Sequence, residues 1–143
     1  MSRPQTYETH RRVDPWYHYV LTAAALLAFV LAVSALFRRP GLQEAFALVI
    51  ALAAILLTLK VRSYALRVQD RVIRLEETLR MERILPVDLR GRIQDLAPEQ
   101  FVALRFASDA ELADRVREAL DEGLGGEAIK KRIQQWRPDH FRV

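Results

Sequence analysis

Leu42 to Leu85 reads LQEAFALVIALAAILLTLKVRSYALRVQDRVIRLEETLRMERIL, and its composition switches halfway along. Ala45 to Leu59 carries no charge, as a membrane span does, whereas Lys60 to Leu85 is strongly charged. No Gly or Pro punctuates the join, so the stretch predicts one helix that starts in lipid and ends in water. Ala47, Ala51, Ala54, Thr58, Val61, Ala65, Val68, Val72, Leu75 and Leu79 recur in alternating steps of four and three, a heptad seam along the whole helix. In the first half the seam is Ala and Thr, which let backbones approach closely in lipid. In the second it is mostly Val and Leu, whose burial stabilises packing in water. The seam predicts packing either against the chain's own C-terminal helices or against another subunit, and periodicity alone leaves both open. Asp70 before Arg74 and Glu76 before Arg80 stand in the favourable order for ion pairs four residues apart.

Upstream, Val20 to Phe37 runs without a charge behind Trp16, Tyr17 and Tyr19, an aromatic group suited to a membrane interface. The expected spans are therefore about residues 17–37 and 42–59. A cleaved signal peptide competes for the first, with Arg11 and Arg12 as its basic region and AVSA at Ala32 to Ala35 as a cleavage site. The long N-terminal region and the closely following second span favour an intact hairpin. Arg38-Arg-Pro-Gly41 is a tight connection, so the spans are predicted to be antiparallel neighbours. Ala25, Ala28, Ala32 and Ala35 give the first span a stripe of small residues for that contact. Arg3, Arg11 and Arg12 precede the hairpin and Lys60, Arg62, Arg67 and Arg71 follow it, against Arg38 and Arg39 in the loop, which places both termini in the cytoplasm.

The chain of 143 residues has room for such a hairpin and one small domain. It contains no Cys, which excludes disulfides, thiolate metal sites and Cys nucleophiles. The net charge is only +4 despite a pI near 9.8, and the local excess of Lys60, Arg62, Arg67, Arg71 and Arg74 over Asp70 lies beside the second span. Such a cluster serves topology and anionic headgroups, so no nucleic-acid partner is expected. His10, Asp14 and His18 are spaced four apart, but Pro15 is expected to break the helix that would align them, and no metal site is assigned.

Residues 1–15 read as a polar arm, 60–85 as a cytoplasmic heptad helix and 86–143 as a small helical domain. In the last, Leu89, Ile93 and Leu96 share a face, and Pro98 opens a short helix through Phe101 to Ala107 with little polar surface. Arg105 interrupts it, and a guanidinium in that company must snorkel or pair with a carboxylate. Ser108 to Glu111 is a candidate capping box for a helix that packs through Leu112, Val116, Ala119 and Leu120 and stops at Gly123-Leu-Gly-Gly126. Ile129, Ile133 and Trp136 form the inner stripe of the last helix. Four short helices make a thin core that needs the long helix as backing.

No phosphate-binding loop, Rossmann glycine pattern, HExxH or GxSxG is present, so neither an activity nor a cofactor is expected. The overall expectation is an all-α protein: a transmembrane helical hairpin, its second span continuing into a long cytoplasmic helix, with a small C-terminal helical domain. Gln69-to-Glu77 (QDRVIRLEE), Ile84-to-Pro86 (ILP), Ala103-to-Asp109 (ALRFASD), Ile129-to-Lys131 (IKK) and Trp136-to-Asp139 (WRPD), with Tyr7, His10, Tyr17 and His18, resemble a family of small bacterial two-span membrane proteins of unknown function. The resemblance covers nearly the whole chain and implies an intact hairpin in a bacterial cytoplasmic membrane, with no catalytic residue to transfer. The leading functional expectation is a membrane-anchored interaction module, an accessory or scaffolding subunit or a homo-oligomer, with Asp70, Arg71, Arg74 and Arg105 as candidate contact or ion-pair residues. Its partners would be the lipid bilayer and a protein or second copy. The alternatives are a holin-like membrane-active protein and a lipid-interface enzyme.

Overall fold

The computed structural model describes residues 6–9 and 14–139. Among them the chain is all-α, with six α-helices and no strand: α1 (Thr22–Arg38), α2 (Leu42–Ile84), α3 (Val87–Arg90), α4 (Pro98–Leu104), α5 (Leu112–Asp121) and α6 (Gly126–Arg132). A π-helical turn, Trp16–Leu21, leads into α1, and a 3-10 turn, Ile93–Asp95, follows α3. Residues 14–66 form one compact unit, and residues 67–139 with 6–9 form another.

In the first unit two long apolar helices pack as a hairpin, each long and apolar enough to cross a membrane. Pro15 does not break the first helix; it starts it. Proline's fixed φ suits a first turn, and the Asp14 carboxylate caps that turn by accepting the N–H groups of Trp16 and Tyr17 at 3.0 and 3.2 Å. The connection between the helices is residues 39–41, and the Gly41 carbonyl accepts the first bond of α2 from Ala45 at 3.0 Å. The inward stripes are Ala25, Phe29 and Ala32 on α1, and Leu48, Ala51, Ile55 and Thr58 on α2. Small residues at Ala32 and Ala51, the most buried of these, permit the close approach. Ala28, Ala35, Ala47 and Ala54 lie outside the contact, because it follows its own rows of the helix surface.

In the second unit the α2 residues Met81 and Leu85 are fully buried with Leu89, Ile93, Leu96, Phe101, Leu104, Phe106, Leu112, Val116 and Ile129. The long helix thus contributes directly to the small core. Leu89, Ile93 and Leu96 share the buried face as their spacing predicts, although the segment splits into α3 and the 3-10 turn. At the start of α4 the Gln100 side chain reaches back to the Ala97 N–H at 2.7 Å, and its amide donates to the Leu124 carbonyl at 2.9 Å. α5 ends where Gly123 takes a φ of 62°, a conformation that suits a residue without a Cβ. Gly126 lets α6 approach α4, since a Cβ there would sit 2.9 Å from the Glu99 carbonyl oxygen.

The Ser108–Glu111 capping box does not form: Glu111 accepts the backbone N–H groups of Gln134 and Gln135 at 3.1 and 2.9 Å. Fastening the segment after α6 uses the carboxylate that would have reached back to Ser108. Trp136 lies beyond α6 and not on it, bridging Ala107 and packing on Phe106 with ring centroids 5.1 Å apart. Within the N-terminal arm, Tyr7 hydrogen-bonds through its hydroxyl to Glu127 and lies beneath Lys131.

Candidate functional site

The buried charged side chains of the second unit, Glu77 and Arg105, lie where α2 meets the segments after α4 and α6. Glu77 points from α2 into this junction and is only 4% exposed. A carboxylate that has lost its water requires charged donors. Arg80 supplies one at 2.9 Å and Arg137 another at 3.1 Å. Arg80 uses the rest of its fork on Asp109, at 2.9 and 2.5 Å, and on the Ala107 carbonyl at 2.8 Å. Arg105, 7% exposed, reaches Asp139 at 3.1 Å and lies over the Phe106 ring at 4.6 Å. The expected carboxylate partner of the buried guanidinium is therefore Asp139. Gln69, Val72, Glu76, Arg105, Arg137 and Asp139 are among the residues lining a cleft of about 460 Å³ at this junction.

This arrangement is a clasp of alternating charges, suited to fixing the C-terminal segments on α2 and to presenting a polar edge. It brings no nucleophile and base into hydrogen-bonding reach, and among the described residues no cluster of three or more His, Asp or Glu side chains is placed to hold a metal. His10 lies outside the described residues, and His18 directs its ring Nδ1 at the Asp14 carbonyl, 2.8 Å away.

Of the four polar candidates, only Arg105 belongs to the clasp. Arg74 stands over the Phe101 ring at 5.6 Å and makes no ion pair with Asp70, correcting the spacing expectation. Arg80 turns to Glu77 and Asp109 and away from Glu76, because the buried side of α2 carries the larger need for charge compensation. Arg71 and Glu76 are exposed and have no ion-pair partner among the described residues.

The heptad seam divides in the same way. Ala51 and Thr58 face the hairpin contact, whereas Ala47, Ala54 and Val61 are exposed. Val68, Val72, Leu75 and Leu79 are 62%, 47%, 62% and 46% exposed. The C-terminal helices do not pack on them; they use the side of α2 that carries Ile73, Glu77, Met81 and Leu85. Seam and core lie on different faces because Met81 and Leu85 continue the buried row of Ile73 and Glu77 in steps of four.

Apart from the clasp, Arg132 grips Glu122 through two parallel bonds of 2.8 and 2.7 Å. That hydrogen bonding holds the Glu122 carboxyl below its ordinary range and raises the guanidinium further above its own.

Fold and site together define an all-α protein built from a long apolar hairpin and a small, charge-clasped helical unit. Residues 1–143 match the model of a family of unknown function (DUF6526), and the chain belongs to that family. No curated protein and no solved structure matches it.

Proposed function

We propose that this protein is a membrane-anchored helical interaction module, an accessory or scaffolding subunit held in a bacterial cytoplasmic membrane by α1 and the apolar half of α2. The observation that carries the reading is the exposure of the hairpin. Only 11% and 6% of its two apolar windows are buried, whereas the central helix of a water-soluble protein buries most of its surface. Leu27, Leu31, Phe46, Val49, Ile50 and Leu57 are all more than half exposed, and lipid is the solvent in which such a surface is stable. Leu42 to Leu59 at 1.5 Å per residue gives roughly 27 Å, close to the thickness of a hydrocarbon core.

Two further contacts support a cytoplasmic placement of both termini. The Tyr17 hydroxyl donates to the Thr58 carbonyl at 2.5 Å, and Arg62 lies over the Tyr17 ring at 5.3 Å. An aromatic residue and a basic residue therefore mark the same end of the hairpin, as at an interface facing the cytoplasm. The contact of Tyr7 with Glu127 joins residues 6–9 to the C-terminal helices in one unit, which supports a common side for both. Arg3, Arg11 and Arg12, which also enter the orientation argument, lie outside the described residues. The reading assigns no catalysis and no cofactor; the clasp and the exposed α2 surface serve protein contact.

The test is carbonate extraction of native membranes, followed by purification in mild detergent and crosslinking. The protein is expected to remain with the membrane and to be recovered with itself or another protein. Release into the soluble fraction would overturn the anchor, and a retained monomer without any partner would overturn the interaction role. Depolarisation of the membrane on expression would replace this reading with a membrane-active one.

A further inference from the structure

We propose that the occupant of the exposed α2 stripe is a second copy of this chain, joined as a parallel, in-register, two-stranded coiled coil through Val68, Val72, Leu75 and Leu79. The inference rests on the membrane-anchored reading and specifies its partner.

In heptad terms Val68 and Leu75 occupy d, and Val72 and Leu79 occupy a. The opposite side of the same turns, positions b, c and f, carries Ile73, Arg74, Glu77, Arg80 and Met81, and the chain's own C-terminal unit covers that side. The stripe lies outside the helical core of its unit: Val72 and Leu79 border the clefts beside Arg137 and Asp139, Val68 and Leu75 line neither, and all four residues are about half exposed or more. The helix that presents it is already formed over 43 residues, so pairing does not have to nucleate one.

Charge selects the occupant and the register. Arg71 is at g and Glu76 at e, and in a parallel in-register pair each g residue meets the e residue five places on in the partner helix. Arg71 of each copy would thus face Glu76 of the other, and two-fold symmetry gives that pair twice. Both side chains are exposed and have no ion-pair partner among the described residues. The flanks Gln69 and Thr78 are uncharged, and Arg83, the e position five places after Thr78, meets no like charge there. Two copies inserted with the same orientation must run α2 in the same direction, which removes the antiparallel arrangement. The next d position is Glu82 and the next a position is Pro86, so the seam ends with the helix at Ile84. A seam of two heptads is short for association from dilute solution. Confinement of both copies to one bilayer raises their effective concentration and compensates for that brevity.

The sequence has no Cys, so single-cysteine variants of the full chain test this in native membranes. Val68→Cys, Val72→Cys, Leu75→Cys and Leu79→Cys are oxidised beside Arg67→Cys, an exposed c position turned away from the seam. Disulfides require Cα atoms within about 7 Å, so the seam variants should give a dimer of the chain's own mass at about tenfold the yield of Arg67→Cys. In the Leu75→Cys background, Arg71→Glu should lower that yield, and adding Glu76→Arg should restore it. Equal crosslinking at Arg67→Cys, a conjugate with a different protein, or failure of the charge exchange to restore the dimer would overturn the proposal. Carbonate extraction of the same variants separates the two readings. A protein retained in the membrane that never crosslinks refutes the dimer and leaves the anchor standing, whereas a released protein refutes the anchor itself.

Discussion

The hairpin and the C-terminal unit are built from the same apolar residue types, placed in opposite ways. Most Leu, Val, Ile and Phe side chains of the hairpin point outward, and Ala32 and Ala51 are its most buried positions. In the C-terminal unit Phe101, Phe106, Leu104 and Leu112 are inside, and charged side chains cover the outside. The comparison teaches that burial is not a property of a residue but of its solvent: small residues pack helices in lipid, and large ones pack them in water. α2 changes from the one pattern to the other along one uninterrupted backbone.

The largest test of this contrast is Phe101→Ala, which removes a fully buried ring and should destabilise the C-terminal unit by about 3–5 kcal/mol. Urea-dependent proteolysis of the full chain would measure it, and an unchanged midpoint would show that the ring is not part of a packed core. Next is Ile50→Arg, at an exposed position in the middle of the apolar half of α2. In a soluble protein an exposed Ile→Arg change is nearly neutral. At the centre of a span it costs about 2.5–3.5 kcal/mol of insertion, so the fraction retained by membranes should fall sharply. Full retention would erase the distinction between the two regions.

A smaller effect is expected from Glu77→Gln, which keeps the shape but withdraws the charge shared by Arg80 and Arg137. Arg80 retains Asp109 and Arg137 is half exposed, so the loss should be about 1–3 kcal/mol. Hydrogen exchange at the amides after α6 should quicken; unchanged exchange would demote the clasp to a surface feature. The smallest concerns Glu122, whose carboxyl is held low by its hydrogen bonds to Arg132. A carboxyl lower in the folded than the unfolded chain contributes stability above its unfolded pKa, and that contribution is lost as pH falls through the folded value. Acidification below about pH 4.3 should therefore destabilise the native protein slightly more than a Glu122→Gln variant, by thermal unfolding. Arg132 stays protonated throughout and adds no pH dependence of its own.

Much of this architecture was legible because it depends on local chemistry. The missing punctuation between Leu59 and Lys60 announced α2, and Pro86, Pro98 and Gly123 marked real boundaries. The apolar faces through Leu89, Ile93 and Leu96, and through Leu112 and Val116, followed from their spacing. The clasp was not legible. Arg80 meets Asp109 across 29 positions and Arg137 meets Glu77 across 60, and no helical period relates such residues. The ion-pair rule for neighbouring turns assigned Arg80 to Glu76 instead, since it takes no account of which face loses water. The one available signal was the family-like stretches: ALRFASD, WRPD and QDRVIRLEE contain Arg105, Asp109, Arg137, Asp139 and Glu77. Likewise the seam was visible as a period, but only the placement of Met81 and Leu85 on another face showed which side of α2 the chain leaves open.

The contact of Tyr7 with Glu127 spans 120 positions, and it sets an order of events during synthesis. Tyr7 is synthesised 120 positions before its partner Glu127 on α6. At roughly 5–20 residues per second, the arm waits on the order of 6–24 s for its partner. Both α1 and α2 are synthesised within that interval, before the arm can dock. Closing Tyr7 onto α6 is thus a step that waits until both long helices have been made.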